Sequence, residues 1–340
     1  MMDDGSFDVQ EYAKQGPAFA ELARFGPVDW PAWQSSADRM ARALAGTADL
    51  ARRIHHLYLP VLFFCAGLAR SSPKRPLIVG IQAPQGAGKT TLVSHLLAEL
   101  PALGVRAAGV SIDDFYLTRA EQVALAAAHP GNPYLEHRGY PGTHDIALGE
   151  ATLAELTGLS HVAPRTPHPA SASAEASADT PRSSHGVVRV PLYDKSAHGG
   201  RGDRAPASEW REVRGPLDLV FVEGWMLGFT PVPETALDDP WLAEPNRRLA
   251  AYDRWHRLID AFVSLRAADP AFVLRWRVEA EEAMKAQGRP GLSREAIEDY
   301  IRRFLPAYRL YGGAPGRIPR EHRLEIWLDG QRRAQSAIRT

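Results

Sequence analysis

Cysteine is nearly absent from this sequence: Cys65 is the only one among 340 residues. A single thiol excludes a disulfide within the chain and a zinc site built from several cysteines, and it suits the reducing environment of the cytosol. A surplus of charge is absent too, because 40 Lys and Arg residues balance 40 Asp and Glu residues. This balance gives no general reason to expect nucleic acid or a membrane surface as a partner.

Long hydrophobic runs are also missing. The longest apolar stretch, Leu57 to Leu68, is too short to span a bilayer and predicts a buried helix ahead of the first strand. The N-terminal stretch MMDDGSFD is acidic and lacks the apolar core of a signal peptide. We therefore expect a cytoplasmic protein without a membrane partner.

The chain divides into stretches of different composition. Apolar residues make up 45% of it, which supports a sizeable core. Residues 1–70 are mostly helical by pattern and are interpreted as an N-terminal helical extension. Residues 71–340 are expected to form one α/β domain. Within this domain, Ala, Ser and Pro dominate residues 159–186, so we expect a disordered surface insertion there.

The stretch after residue 76 carries the strongest motif. Leu77 to Ile81 are a short, mostly β-branched apolar run that predicts one buried strand. The sequence APQGAGKTT follows, and apolar residues then recur at helical spacing from Leu92 to Leu100. Strand, glycine-rich loop and helix in this order predict a phosphate-binding loop. The alternative is a chance glycine-rich turn.

The phosphate-binding loop predicts how ATP is held. Its backbone N–H groups and the helix N-terminus would surround a phosphate. Lys89 would reach the β- and γ-phosphates, and the Thr90 hydroxyl would bind Mg²⁺. The expected ATP-binding residues are Gln85, Gly86, Ala87, Gly88, Lys89, Thr90 and Thr91.

Acidic residues follow two further predicted strands. Asp113 and Asp114 come after the strand predicted at Val105–Ser111, and Glu223 ends the apolar run that begins at Leu217. Ligands of open α/β sheets sit at the carboxyl ends of the strands, so these carboxylates are expected near the γ-phosphate. The alternatives are an acidic turn before the next helix and a solvated carboxylate at a strand end.

Basic residues occur in loops and in one helix of the second half. Arg201 and Arg204 lie in a glycine-rich loop, where a guanidinium can pair bidentately with a carboxylate or phosphate. The amphipathic helix predicted at Phe272–Lys285 carries Arg275 and Arg277, which we interpret as lid arginines that close over the phosphates. The alternatives are a solvated loop and a solvated helix.

Ordered motifs connect these stretches. They are, in chain order, APQGAGKTTL at 83–92, SIDDFYLT at 111–118, GN at 131–132, RG at 138–139, GTHD at 142–145, PLYDKS at 191–196, GRGDR at 200–204, VEGWMLGF at 222–229, RWRVEAEEAM at 275–284 and FLPAY at 304–308. In order and spacing, they resemble the D-glycerate 3-kinases of the plant type and their microbial relatives, within the phosphoribulokinase/uridine kinase-like group. The resemblance covers about residues 76–330. It accounts for Ala83, because this family's loop begins with alanine where the usual pattern has glycine.

The resemblance implies a fold, an activity and a set of site residues. The fold is a three-layer P-loop NTPase fold with a mainly parallel sheet and lid helices. The activity is the phosphorylation of D-glycerate to 3-phosphoglycerate with ATP and Mg²⁺, and Asp113 is the implied general base with Asp114 as second candidate. The catalytic candidates are Lys89, Asp113, Asp114 and Arg275; the substrate-binding candidates are Arg138, His144, Tyr193, Lys195, Arg201 and Arg204; and the metal ligands are Thr90 and Glu223.

Other functions stay open at this stage. A different kinase of the same group would phosphorylate a nucleoside, pantothenate or an unknown alcohol. A protein of another class would bind ATP as a switch without a small substrate. The paired acids, Glu223 and the arginine-bearing loop favour an enzyme that acts on a small molecule. The oligomeric state is not predicted.

Overall fold

A computed structural model describes residues 8–159, 186–286, 288, 294–312 and 322–338. Most of the expected disordered insertion, residues 160–185, lies outside the described residues. Within the described ranges, no helix is both long and apolar enough to cross a membrane.

The strands follow the sequence-based expectations closely. They are β1 (Leu77–Gln82), β2 (Ala107–Ser111), β3 (Val187–Val190), β4 (Tyr193–Asp194), β5 (Asp203–Arg204), β6 (Arg211–Arg214), β7 (Leu219–Gly224), β8 (Ala261–Ala267), β9 (Arg323–Leu328) and β10 (Ala334–Ile338). The main sheet has the order β10-β9-β8-β1-β7-β2, and all its neighbours are parallel except the β9–β10 pair. Two small antiparallel pairs, β3–β6 and β4–β5, stand apart from it. The predicted α/β fold with a mainly parallel sheet is confirmed.

Helices surround this sheet. The α-helices are α1 (Val9–Lys14), α2 (Trp30–Ala43), α3 (Leu50–Arg53), α4 (Leu59–Ser71), α5 (Lys89–Glu99), α6 (Arg119–Ala128), α7 (Ile146–Thr157), α8 (Ala197–Gly200), α9 (Ala243–Arg248), α10 (Asp253–His256), α11 (Ala271–Ala286) and α12 (Arg294–Tyr311). Short 3₁₀ segments lie at Phe19–Phe25, Leu100–Leu103, Ile112–Phe115, Ala207–Glu209, Glu234–Ala236, Pro240–Leu242 and Leu249–Tyr252, and a π-helical segment lies at Ile54–Tyr58.

Two elements differ from the sequence-based predictions. The sequence from Leu249 to Leu265 predicts a helix that runs into a strand near Ala261–Leu265. The strand is present as β8, but the helix is replaced by a series of short helical turns that ends before it. The edge strand β10 was not predicted, because its sequence, AQSAI, lacks the run of large apolar residues that marks a buried strand. It pairs with β9 across the sharp turn at 329–333, which we call the C-terminal turn.

The N-terminal helices and one face of the sheet share a single hydrophobic core. Residues 59–69 of α4 are all buried, as expected for the longest apolar stretch. Trp33 of α2 is fully buried and packs against Phe63, and its indole N–H donates to Nδ1 of His55 at 3.0 Å. The same core contains Val79 and Phe221 from the sheet. The expected helical extension thus forms, together with α5, one outer layer of the fold.

The opposite face of the sheet packs against a second core. This core contains Leu153 of α7, Phe304 of α12 and the aromatic residues that follow β7. Helices therefore cover both faces, which gives the expected three-layer architecture. The register aligns Glu223 at the end of β7 with Ile81 of β1 and with Ser111 of β2. The segments that leave β1, β2 and β7 consequently meet at one edge of the sheet.

Candidate active site

The loop between β1 and α5 has the backbone conformation of a phosphate cradle. Gly86 and Gly88 have φ values of 76° and 93°, a region that side chains rarely adopt. Lys89 begins α5, and Gly88 is its N-cap. No side chain among the described residues caps this helix, so its first N–H groups can bind an anion.

Glu223 joins the loop to β7. Its Oε2 lies 2.5 Å from Lys89 Nζ, and its Oε1 accepts a hydrogen bond from the Thr90 hydroxyl at 3.2 Å. Its carboxylate is 7% exposed. A carboxylate beside a hydroxyl is a pair of hard oxygen ligands, which fits Mg²⁺. Among the described residues no group of three or more acidic, His or Cys side chains could hold a metal, so phosphate oxygens and water would complete such a site.

The two aspartates after β2 have different environments. Both lie in the 3₁₀ turn Ile112–Phe115. Asp114 turns back and accepts a hydrogen bond from the Ser111 N–H at 3.3 Å, and burial raises the pKa of its carboxyl to about 6. Asp113 instead faces Lys195, whose Nζ lies 2.5 Å from Asp113 Oδ2.

The charge of Lys195 dominates the net shift at Asp113. Burial alone would raise the pKa of the Asp113 carboxyl, but the charges of Lys195 and Lys89 outweigh it and lower this pKa to about 2. The side chain of Asp113 is 26% exposed and that of Lys195 is 58% exposed, so the pair opens to solvent. Asp113 also hydrogen-bonds the Tyr116 hydroxyl, and burial raises the pKa of that phenol. Asp113 is thus ionised and held by two partners at neutral pH.

Arg138 holds the backbone of the glycine-rich loop that carries Lys195 and Arg201. Its guanidinium donates to the backbone carbonyls of Gly200 at 3.0 Å, of Arg201, and of Lys195 at 3.3 Å. It also lies over the ring of Tyr193, 5.5 Å from the centroid. Arg138 therefore fixes the loop that carries Lys195 to Asp113.

The two arginines of that loop differ in exposure. Arg204 is almost fully buried, and its guanidinium donates to the Tyr116 carbonyl at 3.0 Å and to Asp145 at 3.1 Å. Arg201 is exposed, and its guanidinium makes no hydrogen bond to any part of the chain that the structure describes. Of the two, Arg201 can turn to an anionic ligand without breaking an internal contact.

His144 packs against Tyr116, the tyrosine whose hydroxyl is hydrogen-bonded to Asp113. Its ring stacks on Tyr116 with centroids 4.4 Å apart, and its Nδ1 lies 2.7 Å from the Tyr252 hydroxyl. Tyr252 also accepts the Gly142 N–H at 3.0 Å. Burial lowers the pKa of the His144 imidazole to about 3, so the ring is neutral at physiological pH.

We call α11 and α12 the lid helices, and α12 contacts the phosphate loop through two tyrosines. The Tyr308 hydroxyl accepts the Gln85 N–H at 3.1 Å, and the Gln85 side-chain amide donates to Tyr300 at 3.5 Å. Arg275, the expected lid arginine, donates to the Gly330 carbonyl of the C-terminal turn. Its catalytic role stays a prediction, and in this structure its hydrogen bond ties α11 to that turn.

Sequence reasoning missed several tyrosines of the site: Tyr116, Tyr252, Tyr300 and Tyr308. The last two are eight residues apart in an amphipathic helix, so a shared face of α12 was a usable signal. Tyr252 could not have been found in this way, because its contact with His144 joins segments 108 residues apart.

The arrangement defines a class of protein. The phosphate loop leaves the central strand β1, the carboxylate of β7 meets its lysine and threonine, and two helices close on it. These are the parts of a P-loop kinase.

Comparisons with known proteins specify the class further. No family model matches the chain. A chloroplastic D-glycerate 3-kinase of Arabidopsis thaliana is 39% identical over 296 residues, which are 82% of this chain and 60% of that protein. An uncharacterised kinase of Schizosaccharomyces pombe, mug58, is 37% identical over 76% of this chain and 90% of its own.

A solved structure agrees with these relatives. The D-glycerate 3-kinase of Cryptococcus neoformans var. grubii has a TM-score of 0.67 and 30% identity, and the match covers 82% of this chain and 99% of that one. The chain belongs to the D-glycerate 3-kinase family.

Proposed function

We propose that the protein transfers the γ-phosphoryl group of ATP to D-glycerate and forms 3-phosphoglycerate, with Mg²⁺ as cofactor. The observation that carries this proposal is the Asp113–Lys195 pair, which opens to solvent and whose lysine shares a loop with the exposed Arg201. The names of the Arabidopsis and Cryptococcus proteins support glycerate as the acceptor.

Each group has a proposed part in binding. Lys89 and the N–H groups of the loop would hold the phosphates of ATP. Thr90 and Glu223 would hold Mg²⁺, which when bound offsets the charge of the β- and γ-phosphate oxygens. Lys89 pairs with the carboxylate of Glu223 in this structure, so the lysine already lies at the proposed metal and phosphate site.

Acceptor binding would use the turn after β2, which carries Asp113, and the glycine-rich loop, which carries Arg201. Arg201 is proposed to pair with the glycerate carboxylate. Asp113 is proposed to accept the hydrogen bond of the attacking hydroxyl and to take its proton as the bond to phosphorus forms. Its low pKa makes it a weak base, which suits a loose transition state in which orienting the hydroxyl matters more than early deprotonation.

An ADP-release screen tests the proposal. The purified chain is offered ATP, Mg²⁺ and, separately, D-glycerate, L-glycerate, pantothenate or uridine. We expect ADP release with D-glycerate and a product whose phosphorus couples to the protons of carbon 3 in NMR spectra. Turnover of pantothenate or uridine but not of glycerate would assign another kinase activity of the group. Nucleotide binding without ADP release for any alcohol would favour a switch.

We also propose that the reaction takes place in the cytoplasm. The single cysteine, which is buried and unpaired, supports a reducing compartment. Localisation of the tagged chain in living cells tests this part, and a signal confined to an organelle would contradict it.

A further inference from the structure

The C-terminal turn between β9 and β10 is held rigid by its own hydrogen bonds. The Asp329 carboxylate accepts the backbone N–H groups of Gln331 and Arg333, both at 2.9 Å. The Arg332 N–H donates to the Asp329 carbonyl at 2.9 Å, and Arg332 has a φ of 62°. A side chain at positive φ costs conformational energy, so the surrounding bonds over-determine this geometry. The turn thus fixes where the Arg332 side chain emerges.

The Arg332 guanidinium connects the phosphate loop with a lid helix. Its Nε donates to the Gly86 carbonyl at 2.8 Å, and its second amino group donates to the Trp276 carbonyl of α11 at 3.0 Å. Its remaining amino group pairs with Glu279 at 2.5 Å. The side chain is only 16% exposed. The planar fork of an arginine can satisfy these three acceptors at once, which a lysine cannot do.

The phosphate loop and α11 touch at the same position. A Cβ atom on Gly86 would lie 2.7 Å from the carbonyl carbon of Trp276 and 2.8 Å from its oxygen. Both contacts are with backbone, so nothing flexible could give way. The two segments therefore adjoin where Arg332 binds them.

Fixing the Gly86 carbonyl fixes the next N–H group. In a trans peptide unit the C=O and the following N–H point in opposite directions, and the unit is planar. Arg332 holds the Gly86 carbonyl outward, toward the lid helix. The Ala87 N–H is turned the other way and donates to the Pro84 carbonyl at 3.2 Å, across the loop. The peptide unit between Gly86 and Ala87 is thus held from both sides, and with it the turn that leads to Gly88 and Lys89.

We propose that Arg332 is a positioning residue for the phosphate loop: by clamping the Gly86 carbonyl to α11, it fixes the Gly86–Ala87 peptide unit of the loop for nucleotide and couples nucleotide binding to the lid helices. This inference rests on the proposed function only through the use of ATP, and not through the identity of the acceptor.

The test compares two adjacent arginines. Arg332→Met keeps the apolar stem and removes the clamp, whereas the control Arg333→Met removes the same charge and leaves Gly86 untouched. Arg333 pairs with Asp329 at 2.7 Å and with Asp49 at 3.5 Å, both outside the phosphate loop. Binding of Mg·ATP and Mg·ADP to the full chain is measured by calorimetry, and the melting temperature is measured without nucleotide.

We expect Arg332→Met to raise the Kd of Mg·ATP at least tenfold and to leave the KM of the acceptor within twofold. Arg333→Met should keep the wild-type Kd within twofold, and Arg332→Lys should fall in between because an ammonium reaches one carbonyl but not both. If Arg332→Met does not fold, Arg332→Lys alone still carries the comparison. An unchanged Kd in the Arg332 variants, or an equal loss in Arg333→Met, would overturn the proposal.

The same measurements distinguish a failure of this proposal from a failure of the proposal that D-glycerate is the acceptor. A wild type that binds Mg·ATP but does not phosphorylate glycerate would sink the proposed substrate. It would leave the comparison of Arg332 with Arg333 unaffected.

Discussion

In a Lys195→Met variant, we expect the protonation of Asp113 to set the lower pH limit of activity. In the wild type, charge lowers the pKa of Asp113 to about 2 against the raising effect of burial. In Lys195→Met the burial stays and the nearest cation, at 2.5 Å, is lost. The pKa should return to at least the ordinary 3.8, which corresponds to roughly 2 kcal/mol in proton affinity.

The assay is the pH dependence of kcat/KM for glycerate. In the wild type, Asp113 stays ionised throughout the range in which the enzyme can be assayed, so no acid limb is expected from it. In Lys195→Met an acid limb should appear near pH 4–5, which is at most about one unit above the ordinary carboxyl midpoint. Lys195→Arg, which keeps the ion pair, serves as the matched control and should behave like the wild type.

Two results would refute this reasoning. A Lys195→Met enzyme that loses the same factor of activity at every pH would show that Lys195 acts on the substrate and not on Asp113. An acid limb that appears equally in Lys195→Arg would show that the charge does not matter. The free energy of unfolding at neutral pH should fall by less than the roughly 2 kcal/mol that the pKa shift alone would give, because the lysine side of the pair is exposed and solvent screens its charge.

The remaining predictions concern four other positions. Lys89→Ala should abolish turnover and leave the melting temperature within a few degrees, since the lysine meets phosphate charge during transfer; near-wild-type ADP release would contradict the loop assignment. Arg201→Ala should raise the KM for glycerate by a factor that corresponds to roughly 2–3 kcal/mol, and it should leave the KM for ATP unchanged. Arg204→Ala should instead lower the melting temperature, because the buried Arg204 guanidinium has two internal acceptors. An unchanged KM for glycerate in Arg201→Ala would show that the glycerate carboxylate binds elsewhere. Burial raises the pKa of Asp114 to about 6, so the wild type should lose stability as the pH rises from about 4 through 6. Asp114→Asn should remove this loss and gain on the order of 3 kcal/mol at pH 7.5. Thermal melts that depend on pH equally in both proteins would refute this prediction.

Much of the fold could be predicted because its signals are local. The apolar run before the phosphate loop, the acids that follow two of the strands and the helical spacing from Leu92 onward are all short-range patterns. They located β1, β7 and α5 to within three residues. Residues 249–260 failed the same reasoning, since short turns without a steady period leave no pattern to read.

Within the site, the sequence could nominate groups but not assign their partners. It placed Asp113 and Asp114 together at the end of a strand, and only the family resemblance ranked Asp113 first and Asp114 second. The 3₁₀ turn separates them: Asp114 caps the backbone of Ser111, and Asp113 faces Lys195, which lies 82 residues further along the chain. Only the packing of the loops could bring that lysine to one carboxylate and not to the other.

The sequence by itself determined the phosphate loop, the acidic residues that follow two of the strands, and the resemblance to a family. Each of these depends on short motifs whose residues are neighbours in sequence. Tertiary structure decided which arginine has no hydrogen-bond partner among the residues that the structure describes, which aspartate pairs with Lys195, and that Arg332 reaches the loop at Gly86, 246 residues away. Such contacts form between segments that the sheet topology brings together. Their distances and burial set the charges and pKa values of the site, and no local pattern encodes them.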